Sequence, residues 1–119
     1  MISLNARHKS MVKDLVKDGA TIADEMTPDS AHILHMSVGV AGEAGELLDA
    51  IKKAVIYQKE LDRENVIEEL GDLEFYIEGL RESLNITRDE TLDANIRKLG
   101  VRYGDKYSDK SAQNREDKK

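Results

Sequence analysis

The chain has 119 residues, of which 35% are charged, with a formal net charge of −6 and no cysteine. This length favours one domain with a modest core, and the lack of cysteine excludes disulfides and thiolate metal ligands. The acidic balance disfavours a nucleic acid polymer as a partner, and no apolar run approaches the ~20 residues that span a membrane. We therefore expect a cytoplasmic protein that has no membrane partner.

The first half of the sequence predicts two helices. The first covers about residues 4 to 17, where apolar residues recur at helical spacing, and Gly19 is its expected C-cap. The second begins after Thr27, the expected N-cap, with Pro28 in the first helical position. This second helix is long and is expected to reach about Tyr57.

The second half of the sequence predicts two more helices. Asp62 is the expected N-cap of the third helix, which extends to about Leu84. The sequence Thr87–Glu90 has the spelling of a capping box, and it opens a fourth helix that ends near Gly100 or Gly104.

These elements predict an all-α fold, a four-helix bundle with two long central helices. The central pair is expected to be antiparallel because the connection between the helices is short. Residues 1–107 are expected to form this single domain. Residues 108–119 are polar, and we expect them to form a disordered C-terminal tail.

Each long helix carries two rows of residues at alternating spacings of four and three, which is typical of bundle helices. We interpret the more apolar row of each helix as the seam of the hairpin. These seam rows are Leu34, Val38, Ala41, Ala44, Leu48, Ile51 and Val55, and Val66, Leu70, Leu73, Ile77, Leu80 and Leu84. The second rows are Met36, Val40, Glu43, Leu47, Ala50 and Ala54, and Asn65, Glu69, Asp72, Tyr76, Gly79 and Ser83. A second buried side would face another helix or another subunit.

Acidic residues interrupt these second rows. Glu43 replaces an apolar residue, Glu46 lies one turn further on, and Glu69 and Asp72 are one turn apart. An isolated pair of this kind usually lies on a solvated surface. Two pairs that antiparallel helices bring together would repel unless a cation neutralised them. Four carboxylates without His or Cys favour Mg²⁺ or Mn²⁺ over Zn²⁺.

Glycines recur every three residues in the second helix, at Gly39, Gly42 and Gly45. Each costs ~1 kcal/mol relative to alanine in a helix interior. They therefore predict the close approach of another helix or of a ligand.

Two sequence blocks, Gly42–Lys53 and Glu68–Leu73, carry an ExxE motif and an ExxD motif, with 22 residues between Glu46 and Glu69. This arrangement resembles the MazG-like all-α nucleoside triphosphate pyrophosphohydrolases, over roughly residues 30–107. The resemblance implies an enzyme that uses Mg²⁺ to hydrolyse nucleoside or deoxynucleoside triphosphates to monophosphate and pyrophosphate. Many members have a glutamate directly before the first motif residue, where this chain has Gly42, so the number of metal ions stays open.

The resemblance also implies roles for particular residues. The metal ligands would be Glu43, Glu46, Glu69 and Asp72. The phosphate-binding residues on the last helix would be Lys98, Arg102 and Asn95. We choose Glu46 as the catalytic residue that orients or deprotonates the attacking water.

Two other functions compete with this interpretation. A non-catalytic helical bundle that binds other proteins would explain the apolar rows but not the facing acidic pairs. A di-iron carboxylate bundle is disfavoured because it needs Glu-x-x-His motifs. His32 and His35 are one turn apart and fit a surface or core position better than a substrate contact.

A homo-oligomer is expected because a hairpin with apolar residues on two sides cannot bury both alone. The resemblance favours a tetramer, made of two dimers, over a dimer. The sequence identifies neither the base nor the sugar of the substrate.

Overall fold

The structure is a computed structural model that describes residues 1–104 and 106–118. These residues form helices, turns and loops without a strand, which confirms the all-α class. They fall into two compact units, Met1–Ala31 and His32–Lys119. The single domain over residues 1–107 stays a prediction. Asp105, within that domain, and Lys119, in the expected tail, lie outside the described residues.

The first unit contains helix α1 (Leu4–Leu15) and helix α2 (Gly19–Glu25). Helix α2 lies in a segment for which the sequence predicts no helix. The Asp18 carboxylate accepts a hydrogen bond from the Thr21 N–H at 3.3 Å, so Asp18 is an N-cap. The prediction of Gly19 as a C-cap is wrong, because this glycine is the first residue of a new helix.

Helix α3 (Pro28–Val55) and helix α4 (Arg63–Ser83) are the two long helices, and their starts agree with the sequence. The Thr27 hydroxyl accepts a hydrogen bond from the N–H three residues further on at 3.1 Å. The Asp62 carboxylate does the same at 3.1 Å. Both predicted N-caps are therefore confirmed.

Helix α5 (Arg88–Tyr103) begins with the predicted capping box. The Glu90 N–H donates to the Thr87 hydroxyl at 3.0 Å, and the Thr87 N–H donates to the Glu90 carboxylate at 3.1 Å. The helix ends at Gly104, whose φ of 66° is readily adopted by glycine. Of the two predicted ends, Gly100 and Gly104, the second is the observed one.

The segment after α5 contains helix α6 (Asp109–Asn114) and a 3₁₀ turn (Glu116–Lys118). Here the structure differs from the disordered tail that the sequence predicts. Ser108 caps α6 by accepting a hydrogen bond from the Ser111 N–H at 3.1 Å. An ion pair joins Arg102 of α5 to Asp117 of the 3₁₀ turn. Polar composition alone does not reveal such a cap or a contact between distant residues.

The two rows of α3 are used in the opposite way from the prediction. Met36 and Ala50, from the row assigned to another partner, are the buried apolar residues among those described. Leu34 and Leu48, from the expected seam, are 51% and 67% exposed. Helix α4 therefore packs against the row of α3 that contains Met36 and Ala50, where small residues let the two helices approach each other. The row of α3 that contains Leu34 and Leu48 stays uncovered.

Across the described residues, no helix combines the length and the apolar character that crossing a membrane requires.

Candidate metal site

Three carboxylates meet where α3 and α4 face each other. Glu43 of α3 and both Glu69 and Asp72 of α4 each offer an oxygen atom, and these atoms lie within 4.8 Å of one another. Glu43 and Glu69 are partly shielded from solvent, whereas Asp72 is exposed. The structure thus brings together three of the four acidic residues that the sequence singled out.

The register of the hairpin places these acids together. Gly39 of α3 lies against the Tyr76 ring, and a Cβ at Gly39 would overlap that ring. Gly79 of α4 likewise leaves room for a methionine of α3. One turn beyond Gly39 on α3 comes Glu43, and one turn before Tyr76 on α4 comes Asp72. The close contacts between glycines and large side chains therefore position the acidic pairs.

Of the three regularly spaced glycines of α3, Gly39 alone has a close neighbour in the part of the chain that is described. Nothing lies within 4 Å of a Cβ built at Gly42 or at Gly45. The prediction of a close approach is confirmed for Gly39 and stays a prediction for the other two.

The acidic cluster carries excess negative charge. Burial raises the pKa of Glu69, and the hydrogen bond with Glu43 raises it further. The charges of Glu43, Asp72 and Glu46 act in the same direction. Within the described residues, no Lys or Arg forms an ion pair with these four acids. A proton or a cation would therefore stabilise the cluster.

The donor set suits a hard divalent cation. The three groups supply oxygen ligands alone, which is what Mg²⁺ prefers. Mg²⁺ binds its oxygens at about 2.0–2.1 Å, so the ligands on its opposite sides lie about 4 Å apart. In an octahedral shell adjacent ligands lie about 3 Å apart, so the three oxygens, which all lie within 4.8 Å of one another, would move closer together on binding the ion. The residues present thus fit the ion.

Glu46 stands apart from the other three acids. It lies one turn after Glu43, is exposed, and is outside the group of three converging carboxylates. Its charge still acts on Glu69, so it lies near the cluster. An exposed carboxylate at the edge of a metal site can contact a water molecule more readily than it can act as a tightly held metal ligand.

The predicted phosphate-binding residues lie on α5 and have different surroundings. Asn95 and Lys98 are exposed. Arg102 is partly buried, and its guanidinium contacts Asp117, with a distance of 2.9 Å between Nε and Oδ1. Their approach to the carboxylates stays a prediction.

Sequence reasoning missed two features of this unit. Asp117, the partner of Arg102, lies in a polar stretch without periodicity, and no local signal marks it. The ring of His35 meets the edge of Tyr76 at a centroid distance of 6.2 Å. The one-turn spacing of Tyr76 from Asp72 would have placed an aromatic beside the acidic cluster, but the pairing with His35 depends on the hairpin register.

The fold and the site thus define an all-α protein with an acidic metal-type site in a helical hairpin. The model of the MazG nucleotide pyrophosphohydrolase domain matches residues 32–105, more than half of the chain. The chain therefore belongs to the MazG family, as its motifs indicated. The matched region contains α3 except for its first turn, and all of α4 and α5. No curated protein and no solved structure matches the chain significantly.

Proposed function

We propose that this protein hydrolyses nucleoside or deoxynucleoside triphosphates to the monophosphate and pyrophosphate with the help of Mg²⁺. It would be a hydrolase that acts on acid anhydrides in phosphorus-containing compounds. The observation that carries the proposal is the convergence of Glu43, Glu69 and Asp72 from the two family motifs. Mn²⁺ would be expected to replace Mg²⁺, because both ions accept oxygen ligands.

The acidic residues would have two roles, binding of the metal ion and activation of the attacking water. Glu43, Glu69 and Asp72 would hold the ion, with Glu46 as a further ligand at the open edge. When bound, Mg²⁺ supplies positive charge that offsets both the carboxylates and the triphosphate. Glu46 is exposed, so its carboxylate can accept a proton from the attacking water as the bond between the α- and β-phosphates breaks.

The basic residues of α5 would bind the phosphates. Lys98 is exposed and four residues before Arg102, so both fall on one face of the helix. Their positive charges would stabilise the negative charge of the departing pyrophosphate. Asn95, one turn before Lys98, would add a neutral hydrogen-bond donor on the same side.

The base would be held next to the acidic cluster. Tyr76 lies one turn from Asp72, and its ring is partly shielded and fixed against Gly39. Tyr76 and Gly79 would border a pocket for the base together with Met36 and Val40 of α3. His35 touches the edge of Tyr76 and would line the outer side of that pocket. The identity of base and sugar follows from none of these contacts.

Assembly into a homo-oligomer is part of the proposal. Met36 and Ala50 are the buried apolar residues in the described chain, which is little core for a stable domain. Val38, Leu48 and Val55 line the uncovered row of α3, with exposed fractions of 60%, 67% and 66%. A second copy of the chain would bury this row, and we favour a tetramer made of two dimers. Light scattering after size exclusion should give a mass above that of one 13.4 kDa chain.

A non-catalytic interaction bundle is the second candidate function, and the same uncovered row of α3 favours it. Such a protein would use this apolar surface for a different partner and would need no metal. It would also leave the converging carboxylates without a role, which is why we rank it second. A cytoplasmic location stays a prediction under both functions.

The experiment that tests the proposed function is an assay of products with a panel of nucleoside and deoxynucleoside triphosphates and Mg²⁺. We expect monophosphate and pyrophosphate in equal amounts for at least one substrate. Release of orthophosphate would contradict the proposed cleavage position, and the absence of turnover across the panel would favour the interaction bundle.

A further inference from the structure

The guanidinium of Arg102 is already bound to an anion in this structure. Its Nε atom donates to Oδ1 of Asp117 at 2.9 Å, and its Nη2 atom donates to Oδ2 at 3.2 Å. The Arg102 side chain is 14% exposed and the Asp117 side chain 5%. Asp117 therefore occupies one full edge of the guanidinium and screens it from solvent.

This ion pair is stronger than an ordinary surface contact. The hydrogen bond from Arg102 lowers the pKa of Asp117 to about 2, with the charges of Arg102 and Arg115 acting in the same direction. Asp117 is thus ionised at any physiological pH. Arg115 adds a second cation, with 3.6 Å between its Nε atom and Oδ1 of Asp117. Two-point contact between a guanidinium and a carboxylate is the strong form of such pairs.

The Asp117 carboxylate takes the place that a phosphate would take. A guanidinium binds carboxylate and phosphate in the same way, through two parallel N–H donors. Arg102 is the residue that the proposed function assigns to the phosphates. While Asp117 holds the Nε and Nη2 edge, that edge is closed to the substrate.

We propose that the segment Asp109–Lys118 is autoinhibitory, because its Asp117 carboxylate competes with substrate phosphate for Arg102. The inference rests on the proposed function, since it takes Arg102 as a phosphate-binding residue. The segment is short and mostly exposed, with one helix of six residues. Helix α6 and the 3₁₀ turn also contact α5, so displacement of the segment breaks these contacts together with the ion pair. Binding of a triphosphate then releases the segment from α5.

Removal of the Asp117 charge tests the competition. In Asp117→Asn the side chain keeps its size but is no longer an anion. We expect Mg²⁺ and an α,β-imido deoxynucleoside triphosphate to bind about fivefold more tightly to this variant, because the binding-competent state is more populated. Asp117→Glu keeps the carboxylate and should bind as the wild type does.

Asp109→Asn is the matched control. It removes the same charge from the same segment, and Asp109 contacts the Tyr107 hydroxyl at 2.6 Å rather than Arg102. Its affinity for the analogue should equal that of the wild type. Thermal unfolding of all variants shows whether each one is folded. If Asp117→Asn is not, hydrogen exchange in the wild type tests the proposal without that variant.

Hydrogen exchange gives a readout that does not depend on turnover. The Arg115 N–H donates to Ser111 and the Lys118 N–H donates to Arg115 in the docked segment. Saturation with the imido analogue or with inorganic pyrophosphate should speed exchange at these amides in the wild type. Slower exchange would show that the segment closes on the ligand, which would overturn the proposal.

The affinities separate failure of this inference from failure of the proposed function. If the wild type binds and cleaves triphosphates but Asp117→Asn binds no more tightly, the segment is not a competitor. If Asp117→Asn binds more weakly, Asp117 positions Arg102 instead of blocking it. A wild type that binds neither triphosphate nor pyrophosphate would overturn both claims together.

Discussion

Two charged clusters in the unit His32–Lys119 differ in whether their charge is already balanced. Glu43, Glu69 and Asp72 converge without a cationic side chain paired to them in the described residues. Arg102, in contrast, is held by a carboxylate on two of its nitrogens. The first cluster still requires a counter-charge, whereas the second already has one.

This difference shows what each cluster needs from a ligand. A cation stabilises the acidic cluster directly, because it offsets the burial and the repulsion that together raise the pKa of Glu69. An anionic ligand can bind the same edge of the Arg102 guanidinium only if it first displaces Asp117. Metal binding should therefore be favourable at once, while phosphate binding at Arg102 is opposed by an internal competitor.

The largest effect is expected from neutralising a converging carboxylate. In Glu43→Gln and in Glu69→Gln one charged metal ligand is lost. Loss of a residue that only hydrogen-bonds to a metal ligand lowers activity by up to ~100-fold, so turnover should fall by more than this. Glu68→Gln is the matched control, since Glu68 adjoins Glu69 but is exposed and outside the cluster. Steady-state rates at saturating Mg²⁺ measure the effect. Equal rates in Glu69→Gln and the control would show that the cluster does not bind the metal ion needed for turnover.

Glu46→Gln should separate water activation from metal binding. We expect kcat to fall by about 10²- to 10⁴-fold, the usual range for loss of a general base. The affinity for Mg²⁺ should fall less than in Glu69→Gln, because Glu46 is a ligand at the open edge and lies outside the converging group. Rates combined with Mg²⁺ titrations distinguish the two effects. Full turnover in this variant would rule out Glu46 as the residue that activates water.

Gly39→Ala tests the register that forms the acidic cluster. A Cβ here overlaps the Tyr76 ring, so the free energy of unfolding should fall by about 1–3 kcal/mol, as overpacking usually costs. Gly71→Ala is the control, because nothing lies within 4 Å of a Cβ there. Chemical denaturation of both variants gives the comparison. An unchanged Gly39→Ala variant would contradict the described hairpin packing.

The smallest effect concerns pH. The folded pKa of Glu69 is raised above 4.5, so protons compete with Mg²⁺ for this carboxylate at a higher pH than for a free glutamate. The rise in Tm on adding Mg²⁺ should be full at neutral pH and decline on acidification, and the decline should begin at a higher pH than the ordinary pKa of a glutamate would give. Without metal the sign is opposite, since the folded state binds the extra proton and its Glu69 contribution to stability rises as pH falls. Calorimetry with and without Mg²⁺ measures both trends.

Local signals predicted the starts of α3, α4 and α5 well. Thr27, Asp62 and Thr87 make hydrogen bonds with residues three positions away, and contacts between residues this close in sequence can be predicted from the sequence. The same logic failed at Gly19, because Asp18 followed by glycine fits a helix end and also a helix start. The structure has the helix start, in which the Asp18 carboxylate accepts a hydrogen bond from the Thr21 N–H.

The packing of the hairpin was less predictable. Both rows of α3 have the same period, so periodicity predicts two contact faces without saying which one meets α4. The small residues Gly39 and Gly79 decide in favour of the row that contains Glu43. The pairing of Arg102 with Asp117 was beyond prediction, because the two residues are 15 positions apart and no local signal links them.

The assignment of the metal site is tested most directly by calorimetric titration of Mg²⁺ into the wild type and into Glu69→Gln, each without nucleotide, because a triphosphate would itself bind the ion. The convergence of Glu43, Glu69 and Asp72 predicts saturable binding of Mg²⁺ by the wild type, strongly weakened in Glu69→Gln. Equal binding by both proteins, or no binding by either, would contradict the assignment of this cluster as the metal site.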